Sequence, residues 1–251
     1  MRTSINTAYD ISTIRGETRV SSGRECLAGY LGLVHYDLAL RLQQALLSAR
    51  AEGLISDVLA LLQHPPALTL GRFRGDEDII VPRELLTREG IDVFHTNRGG
   101  GITYHGPGQL IGYPVLNLKE KGLGVRRYIW SLEEVVIMLL HDIGIQGHRV
   151  ADHRGVWVGD RKICSVGVNV SRGISTHGFA LNVNNDLRYF QFIRPCGLAG
   201  EVMTSVSELS GRPVEVETIV SDAIHYFSEV FGLVCGRRDY TCLAMLGALS
   251  G

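Results

Sequence analysis

Apolar positions recur along this chain with two periods, and the switches between them mark its elements. Leu38, Leu42, Ala45, Leu46 and Ala49 fall at i, i+4, i+7, i+8 and i+11, which predicts a helix over 36–52 stopped by Gly53. The short apolar run 58–62 predicts a buried strand ending at the hard turn Gln63-His64-Pro65-Pro66. A second strand follows over 67–70, and residues 72–92 read as charged and irregular. Residues 92–96 and 110–118 again read as strands. Ser131 with Glu134 three residues on has the form of a capping box, opening a helix with Leu132, Val135, Val136, Leu139, Leu140 and Ile143 on its buried face and Gly144 at its end. Three strand signals come next, over 155–159, 161–170 and 176–183. Gly159-Asp160 forms a tight turn between the first two, predicting a hairpin. Residues 184–212 read mostly as loop, and 213–231 as a last amphipathic helix with Ile219, Ala223, Ile224, Phe227 and Phe231 on one face. No regular β-α-β-α alternation and no repeat appear. The expectation is one α/β (α+β) domain over 26–232, a mixed sheet flanked by helices, between a mobile extension at 1–25 and a loose tail at 233–251.

One stretch fits neither period. Residues 98–110, Arg-Gly-Gly-Gly-Ile-Thr-Tyr-His-Gly-Pro-Gly-Gln-Leu, hold five glycines among thirteen positions and run straight into a core strand. Glycine permits close ligand approach but is poor material for a regular element. A loop so anchored, carrying Arg98, Tyr104 and His105, reads as a site as readily as a surface loop. It matches neither GxxxxGK[ST] nor GxGxxG, so the glycines alone name no ligand.

Composition narrows the partners. The 251 residues are 45% apolar, enough for a sizeable core, and their 25 basic and 26 acidic residues argue against general nucleic-acid binding. No apolar run reaches the roughly 18 residues of a membrane helix. Five cysteines, an odd number without CxxC, suit a reducing compartment better than a disulfide framework or zinc site. The first 25 residues mix Arg2, Arg15, Arg19 and Arg24 with Asp10, Glu17 and Glu25. That is not a secretory signal, and is too acidic for a good transit peptide.

Two groups could carry chemistry. Strict strand alternation would put Lys162, Cys164 and Val166 on one face, with Ile163, Ser165 and Gly167 on the other. A lysine there is either solvated or, in an apolar setting, an acid–base group. Cys196, between Pro195 and Gly197, is either a structural cysteine or a thiol presented by a sharp turn. A lysine beside a thiol favours the thiolate, so Cys196 with Lys162 would make a thioester-exchange couple. The nine histidines contain no HExxH and claim no metal. His105 and His177 each stand beside glycine and are either structural or cleft-lining.

Taken together, these segments resemble the octanoyltransferase (lipoyl(octanoyl)-[acyl-carrier-protein]-protein N-octanoyltransferase) family of lipoate biosynthesis. The likeness lies in RGGGITYHGPGQL, GDRKICSVGV, THGFALNV and RPCGL, with LGLVHYDLALRLQ and LLQHPPALTLGR before them. The resemblance implies a fold like the catalytic domain of biotin- and lipoate-protein ligases. It implies transfer of an octanoyl or lipoyl group from acyl carrier protein to a lysine of lipoyl domains, including those of 2-oxoacid dehydrogenases and the glycine cleavage H protein. By that likeness Cys196 is the nucleophile that forms an acyl-thioester and Lys162 lowers its pKa. Arg98, Gly99, Gly100, Gly101, Ile102, Thr103, Tyr104, His105, Ser165, Val166, Gly167, Gly178, Phe179 and Ala180 line the acyl pocket. No cofactor, metal, nucleic acid or membrane is implied; the protein is expected to be a cytoplasmic monomer, or organellar if the extension is a transit peptide. Acidic partners would meet a rim of Arg98, Arg126, Arg127, Arg154 and Arg161. Two positions depart from the pattern: Cys164, where a small residue such as alanine is expected, and Arg194, where an apolar one is usual. The rivals are an ATP-dependent lipoate-protein ligase, whose pattern follows the histidine differently, and a non-catalytic acyl-chain or lipoyl-domain binder on the same scaffold.

Overall fold

The computed structural model describes residues 24–73, 75–194 and 202–237. Its elements are strands β1 (Glu25–Leu33), β2 (Asp57–Gln63), β3 (Ala67–Leu70), β4 (Asp92–His95), β5 (Ile102–His105), β6 (Gln109–Val115), β7 (His148–Val150), β8 (His153–Val158), β9 (Arg161–Ser171), β10 (Ile174–Asn182), β11 (Val202–Met203) and β12 (Val234–Arg237). The helices are α1 (Tyr36–Ala51), α2 (Arg83–Arg88), α3 (Val125–Asp142), α4 (Val206–Ser210) and α5 (Val216–Phe231), with 3-10 turns at Asp76–Asp78 and Leu187–Phe192.

A mixed sheet in the order β12-β1-β2-β6-β10-β9-β8-β7 forms the centre, with β11 beside β9. β2 shows why it lies there. Val58, Ala60 and Leu62 pack against the cluster under α1, while Leu59 and Leu61 face the cluster under α3 and α5. A strand apolar on both faces must be covered on both. A second sheet, β4-β3-β5, has its own small core of Leu68, Leu70, Ile102, Tyr104, Phe190 and Ile193. The expected α/β domain with a mixed sheet flanked by helices is therefore the architecture found.

Several expectations are corrected. β12, in the stretch read as a tail, pairs parallel with β1, which the periodicity had not picked out. α3 begins at Val125, so Ser131 is not a cap; it is buried inside the helix. On α1, Ala45 and Leu46 are buried and Leu42 and Ala49 pack partly buried as expected, but Leu38 is exposed, and the covered face also carries Ala39, Gln43, Leu47 and Arg50. Two polar residues hide that face from a hydrophobicity count. Arg50 is held there by Asp57 at 2.8 Å, which also pairs with Lys121 at 2.8 Å. The irregular stretch 72–92 contains α2, and the loop 184–212 contains β11 and α4.

Candidate active site

The site lies where the glycine stretch crosses the large sheet. The chain leaves β4, turns through 98–101 and re-enters as β5. The Gly99 amide donates to the Val168 carbonyl at 2.9 Å, so the loop is fastened onto β9. Close approach explains the glycine below it: a Cβ on Gly167 would stand 2.9 Å from the Gly99 carbonyl oxygen. Above and beside this contact is a cavity of about 380 Å³. Its walls come from the loop (Arg98 to Thr103), from His105, from β9 (Lys162, Ser165, Val166, Gly167) and from β10 (His177 to Ala180).

β9 does not alternate as expected. β8 and β9 register Val156 with Cys164 but Trp157 with Lys162, which leaves Ile163 as an extra residue on β9. The bulge resets the faces. Lys162 and Ser165 both line the cavity, while Ile163 and Cys164 both turn into the core. Cys164 therefore does not share a face with Lys162. Burial, chiefly, pushes its thiol well above the usual range, and the thiol faces no part of the cavity. The Lys162 ammonium lies 5.2 Å from the centre of the Trp157 ring. Gly155 makes room for the lysine stem: a Cβ there would stand 3.0 Å from Lys162 Cε and overlap the Cys164 carbonyl oxygen. The Gly155 amide donates to buried Glu133 at 2.8 Å, fixing this point of β8 from α3.

A polar chain supports the other wall. Arg98 is buried, and its guanidinium donates to Thr69 Oγ1 from Nε at 3.2 Å and from Nη2 at 2.9 Å. Thr69 Oγ1 lies 3.2 Å from His105 Nε2, and His105 Nδ1 lies 2.8 Å from Gln109 Oε1. With the His105 proton on Nδ1, every partner in this chain is satisfied. Gln109 then donates to Asn182 at 2.9 Å, and Asn182 donates to the Thr204 carbonyl at 3.1 Å. The Thr204 amide in turn donates to the Lys162 carbonyl at 2.9 Å. Arg98 and Lys162 are thus held by one continuous network. Burial, above all, keeps His105 neutral and takes His177 down to about 3, and the Arg98 charge adds to both effects. His177 has φ +57, uncommon for a residue with a Cβ. Its Nε2 pairs with Asn97 Oδ1 at 2.9 Å, and its buried Nδ1 has no hydrogen-bond partner among the described residues.

Of the residues named from the sequence, Lys162, Arg98, Gly99, Gly100, Gly101, Ile102, Thr103, His105, Ser165, Val166, Gly167, Gly178, Phe179 and Ala180 line the cavity. Tyr104 does not. It alternates away from Thr103 and His105, and its ring packs 5.1 Å from Tyr189 and 5.5 Å from Phe190. Cys196 lies outside the described residues. Arg98 is buried and so is no part of a docking rim; Arg126, Arg127 and Arg154 are exposed, and Arg161 is joined to Glu208 at 2.7 Å. The sequence reading missed Tyr36, Phe73, Tyr113, Asp152, His153, Phe190, Ile193 and Met203 as lining residues. Tyr36 and Tyr113 sat on correctly read elements, where a buried hydroxyl was the available signal. The others lie on turns and short elements that periodicity passes over. No group of three or more metal-binding side chains occurs among the described residues.

Residues 35–228 match the lipoyl protein ligase A/B catalytic domain. An octanoyltransferase of Alkaliphilus metalliredigens is 45% identical over 202 residues, covering 80% of this chain and 93% of its own. In fold, the chain matches a crystal structure of lipoate-protein ligase A bound with ATP at TM-score 0.76, with 17% identity, over 90% of this chain and 93% of that one. It also matches the structure of a bi-partite lipoate protein ligase and its E2 lipoyl domain from Thermoplasma acidophilum at TM-score 0.70, with 17% identity, over 90% and 91% of the two chains. A buried glycine-loop cavity on this sheet, a family match across most of the chain and close identity to octanoyltransferases agree: the chain belongs to the lipoyl protein ligase A/B catalytic domain family and, within it, to the octanoyltransferases.

Proposed function

We propose that this enzyme moves an octanoyl group from acyl carrier protein to a lipoyl-domain lysine through a thioester on Cys196, with Lys162 as the neighbouring acid–base group. One observation carries the assignment of the pair. Ile193 and Met203, which bracket the segment holding Cys196, both line the cavity, and Met203 is in register with Lys162 on β9. The described residues on either side of Cys196 in sequence thus meet the cavity and Lys162, which supports pairing that thiol with that ammonium. The thiolate attacks the carrier thioester, the carrier thiolate departs and takes a proton, and the acyl group now sits on Cys196. Exchange between thioesters is nearly isoenergetic, so it requires no nucleotide. The neutral acceptor amine then attacks and passes a proton to Lys162, which had protonated the departing carrier thiolate; an amide replaces the thioester and the Cys196 thiolate returns.

The cavity suits the cargo. At roughly 0.8 kcal/mol per buried CH₂, an eight-carbon chain between Val166, Phe179, Ala180 and Tyr113 gains several kcal/mol of binding. Exposed Arg126, Arg127 and Arg154 offer acidic carriers a basic approach. Cysteines odd in number and without CxxC suit a cytoplasmic setting. Incubation with octanoyl–acyl carrier protein, without ATP or Mg²⁺, is expected to add about 126 Da to the enzyme, the mass of an octanoyl group replacing a thiol hydrogen. Cys196→Ser should lose that adduct and Cys164→Ala keep it. An adduct mapped to Cys164, or one that survives in Cys196→Ser, overturns the assignment.

A further inference from the structure

At the sheet edge formed by β1 and β12, two cysteines stand opposite one another. β1 and β12 run parallel with Cys26 in register with Cys235. Registered residues on neighbouring parallel strands project to the same face, here the face toward the core under α3 and α5. The two thiols are close enough to shift one another's acidity, while Cys26 Sγ donates to the Leu27 carbonyl at 3.7 Å. Neighbouring strands lie about 4.7–4.9 Å apart, and disulfides bridge Cα atoms about 4.4–6.8 Å apart. The spacing of registered neighbours thus falls within the range that a disulfide spans.

We propose that Cys26 and Cys235 form a site of reversible disulfide modification that fastens the C-terminal edge strand to the sheet. The two partners are unequal, as such a pair requires. Cys26 is buried, whereas Cys235 is partly exposed and can be reached by a small oxidant. The neighbouring Cys26 thiol draws the Cys235 thiol below its ordinary pKa, and Cys235, with burial, holds Cys26 well above its own. Cys235 is therefore the attacking sulfur and Cys26 the resolving one. With a low-molecular-weight disulfide as oxidant, the Cys235 thiolate attacks one of its sulfurs, the S–S bond breaks and one thiolate leaves. Cys26 loses its proton to solvent and attacks the mixed disulfide, and the second small thiolate departs. Two protein thiols are oxidised and one small disulfide is reduced to two thiols.

The test uses the full chain and oxidised glutathione. Trypsin alone leaves Cys196 and Cys235 in one peptide, because Arg194 and Arg212 both precede proline. Trypsin with a glutamyl endopeptidase separates them into distinct peptides, with Cys26 in 26–41, Cys235 in 230–237 and Cys242 in 239–251. The expected product is 26–41 joined to 230–237, about 2 Da lighter than the two reduced peptides combined, and released by dithiothreitol. Closing so long a loop should also raise the melting temperature by roughly 5 °C or more, a rise lost on reduction and absent in Cys235→Ser. Cys26→Ala serves as the second variant, and mapping of the unmodified sequence stands without either. A stable glutathione adduct on Cys235, a link to 239–251, or Cys235 left reduced while other thiols oxidise would each overturn the proposal.

Discussion

A single inserted residue turns Cys164 away from the cavity. Alternation along β9 pairs Lys162 with Cys164, yet the extra residue at Ile163 separates them and sends Cys164 into the core. Nothing in Arg-Lys-Ile-Cys-Ser marks the bulge, because bulges are set by the partner strand's register rather than by local propensity. Tyr104 failed for the opposite reason: it sits in a legible motif, but the short strand β5 turns it toward Phe190. Lys162, by contrast, lines the cavity its motif suggested, and Gly155 admits its stem. Gly155→Ala combines the overlap at Cys164 with a φ of +122 that an alanine rarely adopts. We expect it to cost on the order of 1–3 kcal/mol in stability and to slow acylation at least as much as Lys162→Arg, which keeps the charge but cannot release a proton near neutrality. Single-turnover acylation with a parallel thermal melt distinguishes the cases. Full acylation in Lys162→Arg would reduce the lysine to an electrostatic neighbour.

At the scale of elements, long apolar patterns were readable and edges were not. β2, β3, the β8–β9 hairpin and α5 follow from period and turn residues. β1 and β12 are edge or near-edge strands whose partners lie far apart in sequence, so no local pattern announces them. The glycine loop lines the cavity as expected of a candidate site, but its place in a second sheet was not legible, since β5 begins within its own motif. Its docking onto β9 yields a test of whether the glycines serve ligand or fold. A Cβ on Gly99 would stand 3.3 Å from the Val168 carbonyl oxygen and 3.4 Å from Arg154 Nη1, so the loop must move by a few tenths of an ångström. Gly99→Ala should therefore raise the KM for octanoyl–acyl carrier protein several-fold while the melting temperature falls only slightly. Unchanged kinetics with a large fall in melting temperature would make the loop a structural tie.

For the whole molecule, the decisive feature is how the two sheets are joined. His64 lies between β2 and β3, His105 ends β5 of the small sheet, and His177 belongs to β10 of the large one. Their rings meet one another or the rings of Tyr36 and Tyr113: His64 is 5.7 Å from His105, Tyr36 is 5.9 Å from His105, and Tyr113 is 6.2 Å from His177. This aromatic seam was invisible in the sequence, where each histidine stood alone beside a glycine or a proline. Burial is the main reason all three are neutral when folded, with His64 taken down to about 4 and His177 to about 3. Their pKa values in the unfolded chain are near 6.5. Above that pH neither state binds these protons and the seam is at full strength. As pH falls below about 6.5 the unfolded chain takes up protons that the folded chain refuses until about 4 and below, so stability drops through that window. The slope approaches about 1.4 kcal/mol per pH unit for each such histidine. Urea unfolding between pH 7.5 and 5 should show a steady loss, and His64→Gln, which keeps hydrogen-bonding capacity without a titrating ring, should flatten the curve by close to one proton. A stability that stays level across those pH values would mean that the seam accepts imidazolium, and that the two sheets are joined by something other than neutral ring packing.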